Sequence, residues 1–207
     1  MNLLRAALLA VPGLVSATEL YSWHSFDSPV VDAKKVQLIL HHRTRTRHEL
    51  SYLDQSRVGS ILRWKAKAGL IPFVGYYFQP QQLRHQEWTR GHRVFTGVEA
   101  PFRPAPSLAV TTRLAAEHFM RTGRQDYNRY RSYARLVIGR GRVSPFVQNE
   151  VLAVRQGFHS TRNSGGLRFA FRHVTLEAGY LYDIRRMAWG GDRQAIVTSL
   201  RYERRER

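Results

Sequence analysis

The 207-residue sequence contains no cysteine, which excludes disulfide frameworks and thiolate metal centres. Acid is scarce: 15 Asp and Glu stand against 33 Lys and Arg, for a net charge of +18 and a pI near 11.2. Lysine is scarce too, present only at Lys34, Lys35, Lys65 and Lys67, so arginine carries the charge. No apolar run reaches the roughly 20 residues that a membrane-spanning helix needs. Glycine-rich phosphate loops, paired-carboxylate signatures, internal repeats and low-complexity tracts are missing. The length suits one domain.

What is present begins at the N-terminus. Arg5 precedes an apolar core, Ala6 to Val15, closed by Ser16 and Ala17. A positive residue, a short apolar stretch and small residues describe a secretory signal peptide, residues 1–17, with cleavage expected after Ala17. Export leaves three classes: soluble periplasmic protein, secreted protein or β-barrel.

The remainder alternates with period two, the signature of strands whose faces differ. In residues 57–70, Arg57, Arg63, Lys65 and Lys67 share one parity, whereas Val58, Leu62, Trp64 and Leu70 share the other. A helix would scatter these cations all round. Arg43, Arg45 and Arg47 oppose Val36, Leu38 and Leu40 in residues 36–47. Further on, Arg113 and Glu117 oppose Leu108, Val110 and Leu114; Arg129, Arg131 and Arg135 oppose Tyr130, Ala134 and Leu136; Arg162, Arg168 and Arg172 oppose Leu167, Phe169 and Phe171. Glu177 and Asp183 oppose Leu176, Tyr180 and Tyr182, and Arg193 and Arg201 oppose Ile196 and Leu200. Residues 71–79, 92–100 and 143–155 read as less clean strands, with Glu99 and Glu150 on the polar side and Asn149 interrupting the apolar one.

Short turns are expected around 69–72, 100–106, 139–142 and 173–175, and longer polar links at 48–56, 80–91, 120–126, 156–161 and 186–192. That alternation is the pattern of outer-membrane barrels, with short periplasmic turns and longer external loops. Ten antiparallel up-and-down strands result, with twelve as the alternative count; ten from Val36 place both ends in the periplasm. The expected organisation is a signal peptide at 1–17, a short extended segment at 18–35, a transmembrane β-barrel at 36–203 and a charged tail at 204–207. Leu20 to Phe26 reads either as a short extra strand or as a segment tucked into the barrel mouth.

A soluble β-sandwich also alternates, so the rival reading is a soluble secreted or periplasmic basic β-sheet protein binding a polyanion. Three features favour the barrel: the signal peptide, strands of about ten residues or more, and aromatics near strand ends (Trp64, Tyr76, Phe78, Tyr130, Tyr180, Tyr182, Tyr202) resembling interfacial girdles. Nucleic acid would need arginines and aromatics on one exposed face; most aromatics here take the parity opposite the arginines, so no nucleic-acid partner is expected.

The inward, anion-facing candidates are therefore Arg43, Arg45, Arg63, Lys65, Arg113, Arg129, Arg131, Arg135, Arg162, Arg168 and Arg172. Their acid partners are Glu99, Glu117, Glu150 and Glu177. Small barrels are filled by side chains, so one role is a packed salt-bridge network. The surplus of guanidinium, which matches phosphate and carboxylate geometry, points to an anion-preferring lumen. Expected partners are outer-membrane lipid and small anions or lipopolysaccharide phosphates; no oligomeric interface is legible. No enzyme is expected: in the pairs His159–Ser160 and His24–Ser25, neighbours on a strand point to opposite faces and cannot meet as base and nucleophile. The doublet His41–His42 splits likewise, and His85, Glu87 and His92 read as solvated link residues, so no metal site or cofactor is expected.

Residues 36–202 resemble the bacterial family of domain of unknown function 2490, predicted outer-membrane barrels. The resemblance rests on an ordered set: Val74-Gly75-Tyr76-Tyr77, His85-Gln86-Glu87-Trp88, Thr112-Arg113-Leu114-Ala115-Ala116-Glu117, Tyr130-Arg131-Ser132-Tyr133-Ala134-Arg135-Leu136, Asn149-Glu150, Thr161-Arg162-Asn163 and Gly179-Tyr180-Leu181. It implies a Gram-negative envelope location and no particular activity. One departure stands out: such barrels commonly end on an aromatic residue, whereas this chain runs past Tyr202 into Glu203-Arg204-Arg205-Glu206-Arg207.

Overall fold

The computed structural model describes residues 20–47, 52–66, 69–82, 88–186 and 191–203. The expected signal peptide, Lys67, the pair His85 and Glu87, and the tail at 204–207 lie outside the described residues. Thirteen strands run in chain order: β1 (Leu20–Asp32), β2 (Val36–Arg47), β3 (Tyr52–Trp64), β4 (Ile71–Phe78), the short β5 (Gln81–Gln82) and β6 (Trp88–Thr89), β7 (Gly91–Ala105), β8 (Leu108–Arg121), β9 (Arg124–Ile138), β10 (Val143–Val154), β11 (Gly157–Ala170), β12 (Val174–Arg185) and β13 (Arg193–Tyr202). All but β5 and β6 close into one eleven-stranded barrel.

The all-β barrel agrees with the alternation in the sequence; the strand count is eleven rather than ten or twelve. Leu20–Asp32 is not a leftover segment but a full strand of the wall, so the barrel starts at Leu20 rather than Val36. An up-and-down chain with an odd number of strands must close on a parallel pair, and β1 does run parallel to β13, from Leu20↔Gln194 to Asp27↔Arg201. The two ends of the wall therefore lie at opposite rims, not together. We call the rim holding the β1–β2, β3–β4, β7–β8, β9–β10 and β11–β12 connections the turn rim, and the other the link rim.

Two expected links are tighter than their polarity suggested. The strands β8 and β9 continue through most of 120–126 and reverse at Thr122–Gly123, where Gly123 takes φ 71°. Only glycine enters that region without steric cost. Likewise β10 ends at Val154 and β11 resumes at Gly157, with φ 109°.

Pairing register turns the period-two sequence into two surfaces. Outward positions include Leu114 at 60% exposure, Val147 at 53% and Val58 at 52%, with Trp64, Tyr76, Tyr130, Leu167, Ile184 and Leu200 also exposed. Across the central part of each long strand the outward positions hold no Asp, Glu, Lys or Arg; the outward Arg124 and Asp126 belong to the β8–β9 hairpin at the link rim. Asn149, the interruption noted above, donates to Asn163 Oδ1 at 2.8 Å on the outer face, so this polar pair satisfies itself. Buried residues face the axis: Trp23, Phe73, Tyr77, Phe95, Phe119 and Phe146 together with Arg57, Arg93, Arg129, Arg162, Glu117, Glu150 and Asp183.

Most aromatics do take the parity opposite the arginines, but Trp23, Phe73, Tyr77, Phe95, Phe119 and Phe146 share the interior with them. A planar guanidinium stacks on a ring, so the two types pack as one layer: Arg129 over Phe119 at 4.6 Å, Arg135 over Phe146 at 4.3 Å, Arg45 over Trp23 at 4.0 Å. Gly75 makes room for that packing. A Cβ there would meet the Phe95 ring at 2.2 Å.

Candidate functional site

The interior divides along the barrel axis. In the half toward the link rim, carboxylates and guanidiniums form a continuous chain across six consecutive wall strands. Glu117 on β8 holds Arg93 of β7 at 2.9 Å and Arg129 of β9 at 2.6 Å, with Arg131 at 3.5 Å. Arg131 also bonds Glu150 of β10, whose other oxygen accepts from Arg162 of β11 at 3.2 Å. Arg162 reaches on to Asp183 of β12 at 3.2 Å. Glu117, Glu150 and Asp183 are all but sealed from solvent. Burying charge is costly unless each ion is paired and hydrogen-bonded, and cross-strand register supplies the pairs, as in Glu117↔Arg129, Glu150↔Arg162 and Arg162↔Asp183.

The half toward the turn rim holds a cavity of about 490 Å³. Its lining stops sharply: Arg131, Tyr133 and Arg135 of β9 line it but Arg129 does not, and Gln148 and Glu150 of β10 line it but Leu152 does not. At the other end it reaches Asp32, Gln37, Arg201 and Glu203 beside the turn rim. The space exists because the wall facing the aromatic cluster is small. Ser25, Ser164 and Ser199 line it, and Gly166 and Gly179 sit side by side on the same inward parity. Trp23 forms the floor. Its ring lies between Arg45 at 4.0 Å and Arg162, three strands away, at 5.2 Å.

Cations outnumber their partners in this chamber. Arg63 and Arg113 both bond Glu99; Arg135 bonds Glu177 at 2.6 Å; Arg201 comes within 4.0 Å of Asp27, which His41 meets at 2.6 Å. Arg43 and Arg57, directly opposite each other on β2 and β3, line the cavity with no ion-pair partner among the described residues.

Of the remaining candidates, Arg45 lies beneath the floor on Trp23. Lys65 lies just past the end of β3 and pairs with Asp32 at 2.6 Å, half in solvent. Arg168 reaches Glu203 at 3.8 Å near the turn rim. Arg172 is corrected: β11 ends at Ala170, so Arg172 sits exposed in the β11–β12 turn rather than on the inner wall, and Phe171 beside it is in the same turn.

The expectation that His159 and Ser160 cannot meet is also overturned. The register between β10 and β11 shifts between Leu152 and Ala153, opposite His159. A bulge places two successive side chains on one face, and His159 Nδ1 lies 3.2 Å from Ser160 Oγ, both buried. Ser160 is fully enclosed and neither residue lines the chamber. By contrast His24 turns outward, meeting Thr198 and Ser22 rather than Ser25. His41 faces in and His42 out, and His92 bonds the Tyr76 hydroxyl at 2.7 Å.

Sequence reasoning assigned most of these residues an inward parity. It placed Arg57 on the inward parity but left it out of the candidate set, and it missed Trp23, His41 and Tyr77. The signal was there for Arg57, which shares parity with Arg63, but the floor required knowing that 20–32 is a wall strand. A family model described as "Protein of unknown function (DUF2490)" matches residues 22–194. No curated protein matches the chain.

Proposed function

The chain belongs to the DUF2490 family of proteins of unknown function, and from that premise we propose that it is an outer-membrane β-barrel whose arginine-rich lumen is part structural network and part anion-preferring chamber. The observation that carries the reading is the inversion of its surfaces: ion pairs lie inside a closed barrel, and valine, leucine and aromatic side chains lie outside. A water-soluble protein rarely exposes an apolar patch beyond a few hundred Å²; a lipid-facing belt is uncharged and apolar by necessity. The signal peptide at 1–17, cleaved after Ala17, provides export. Short turns on the periplasmic side are the rule for such barrels, so the chamber opens toward the periplasm.

The cavity lining ends at Trp23, and the ion network lies beyond it, which supports a closed lumen. The protein is therefore a chamber with one mouth rather than a porin, and its role is binding and envelope structure rather than catalysis. Its surplus cations favour anions. The test is cell fractionation with N-terminal sequencing of the mature chain, followed by electrophoresis in dodecyl sulfate with and without boiling. We expect recovery in the outer membrane, Thr18 as first residue and faster migration when unboiled. Recovery in the cytosol with Met1 intact would sink the proposal.

A further inference from the structure

We propose that the chamber floor is a receptor site for a small amphipathic anion, a carboxylate or phosphate monoester carrying an apolar body. This rests on the anion-preferring reading above and gives it a location and a ligand class. The first observation is the directly opposed pair Arg43↔Arg57. Like charges facing each other across two strands are destabilising, and here neither forms an ion pair among the described residues, Asp27 and Glu150 acting on Arg43 only from beyond ion-pair distance, while Arg57 is only 4% exposed.

The second observation is a set of unpartnered polar atoms on three residues that line the chamber at successive levels up from Trp23. Arg57 Nε, Trp23 Nε1 and His41 Nε2 have no hydrogen-bond partner, although all three side chains are more than nine-tenths buried and line the chamber. They come from β1, β2 and β3, which are neighbours in the sheet. Asp27 already occupies His41 Nδ1. Leaving buried donors unmade is costly; an oxyanion accepting from Arg43, Arg57 and Trp23 removes that cost and the like-charge repulsion together.

The apolar body follows from the walls. Ile39, Ile61, Phe73, Phe146, Leu181 and Val197 line the space between floor and mouth. Its volume of about 490 Å³ falls within the range of pockets that enclose small organic ligands. Inorganic phosphate would satisfy the floor and leave these walls wet; an alcohol of the same chain length would fill the walls and leave the floor cationic.

The experiment uses the full mature protein in nonionic micelles, after its unboiled gel shift has verified the barrel. Octanoate, octyl phosphate, octanol and inorganic phosphate are titrated by calorimetry, each against a protein-free micelle blank. Octanoate or octyl phosphate should bind at least about tenfold more tightly than octanol or inorganic phosphate, a difference of roughly 1.4 kcal/mol. Arg57→Gln and Arg43→Gln should each erase that preference without lowering the melting temperature, because they relieve repulsion. Trp23→Phe should weaken binding while keeping the ring. Equal affinity for octanol and octanoate, or unchanged octanoate binding in both arginine variants, overturns the site. Binding of inorganic phosphate as tight as octyl phosphate overturns the ligand class but leaves an anion-preferring chamber. Silence toward every anion, with the gel shift intact, removes the anion reading and leaves the barrel.

Discussion

The two halves of this barrel interior use the same residue types to opposite effect. Toward the link rim, arginine is a structural cation: Glu117 and Glu150 each sit between guanidiniums, and Asp183 holds Arg162. Toward the turn rim, serine and glycine on β11, β12, β13 and β1 leave a chamber, and Arg43 and Arg57 in it form no ion pair among the described residues. The lesson is that a count of arginines does not distinguish scaffold from site. What separates them is whether register brings an acid opposite.

The largest effect should come from the packed half. Glu117→Ala strips Arg93, Arg129 and Arg131 of a shared, buried partner, and breaking a buried pair from one side costs about 3–5 kcal/mol. Urea unfolding of the barrel in micelles or lipid should show that loss, and it should persist at high salt, since buried pairs are poorly screened. In the chamber half the same kind of change is milder. Glu177→Gln weakens a half-buried bond to Arg135, with an expected loss of about 1.5–3 kcal/mol. A loss equal to that of Glu117→Ala would break the distinction between the halves. The smallest effect belongs to the rim, where Lys65 meets Asp32 half in solvent. Lys65→Ala should cost about 0.2–1 kcal/mol, and that cost should vanish in salt.

Much of this was legible in the alternation. Period two assigned the inward parity of Arg43, Arg63, Arg113, Arg131 and Arg135 and the outward parity of Val58, Leu114 and Val147, because a strand has only two faces. The eleventh strand was hidden because β1 carries polar and apolar residues on both faces, Tyr21, Trp23, Ser25 and Asp27 inward against Ser22, His24, Phe26 and Ser28 outward, and its register also slips between Pro29 and Val31. The contact between His159 and Ser160 was hidden by another slip, a single extra residue that no composition rule marks. Ion-pair partners were hidden for a different reason. Parity says that Arg43 and Arg57 face inward; only pairing register says that they face each other.

The central claim, that the uncharged surface meets lipid and the charged surface meets water, can be tested on two adjacent residues of β10. The chain has no cysteine, so single substitutions report alone. Val147 is exposed on the outer face, whereas Gln148 lines the chamber. Val147→Cys and Gln148→Cys proteins, reconstituted in lipid vesicles, are each treated with a charged, water-soluble maleimide and, after labelling with a nitroxide, with lipid-soluble oxygen as relaxation agent. The account predicts that position 148 reacts with the maleimide and position 147 does not, while oxygen relaxes the label at 147 more strongly than a water-soluble nickel chelate does. Equal maleimide reactivity at both positions, with the chelate outperforming oxygen at 147, would contradict it.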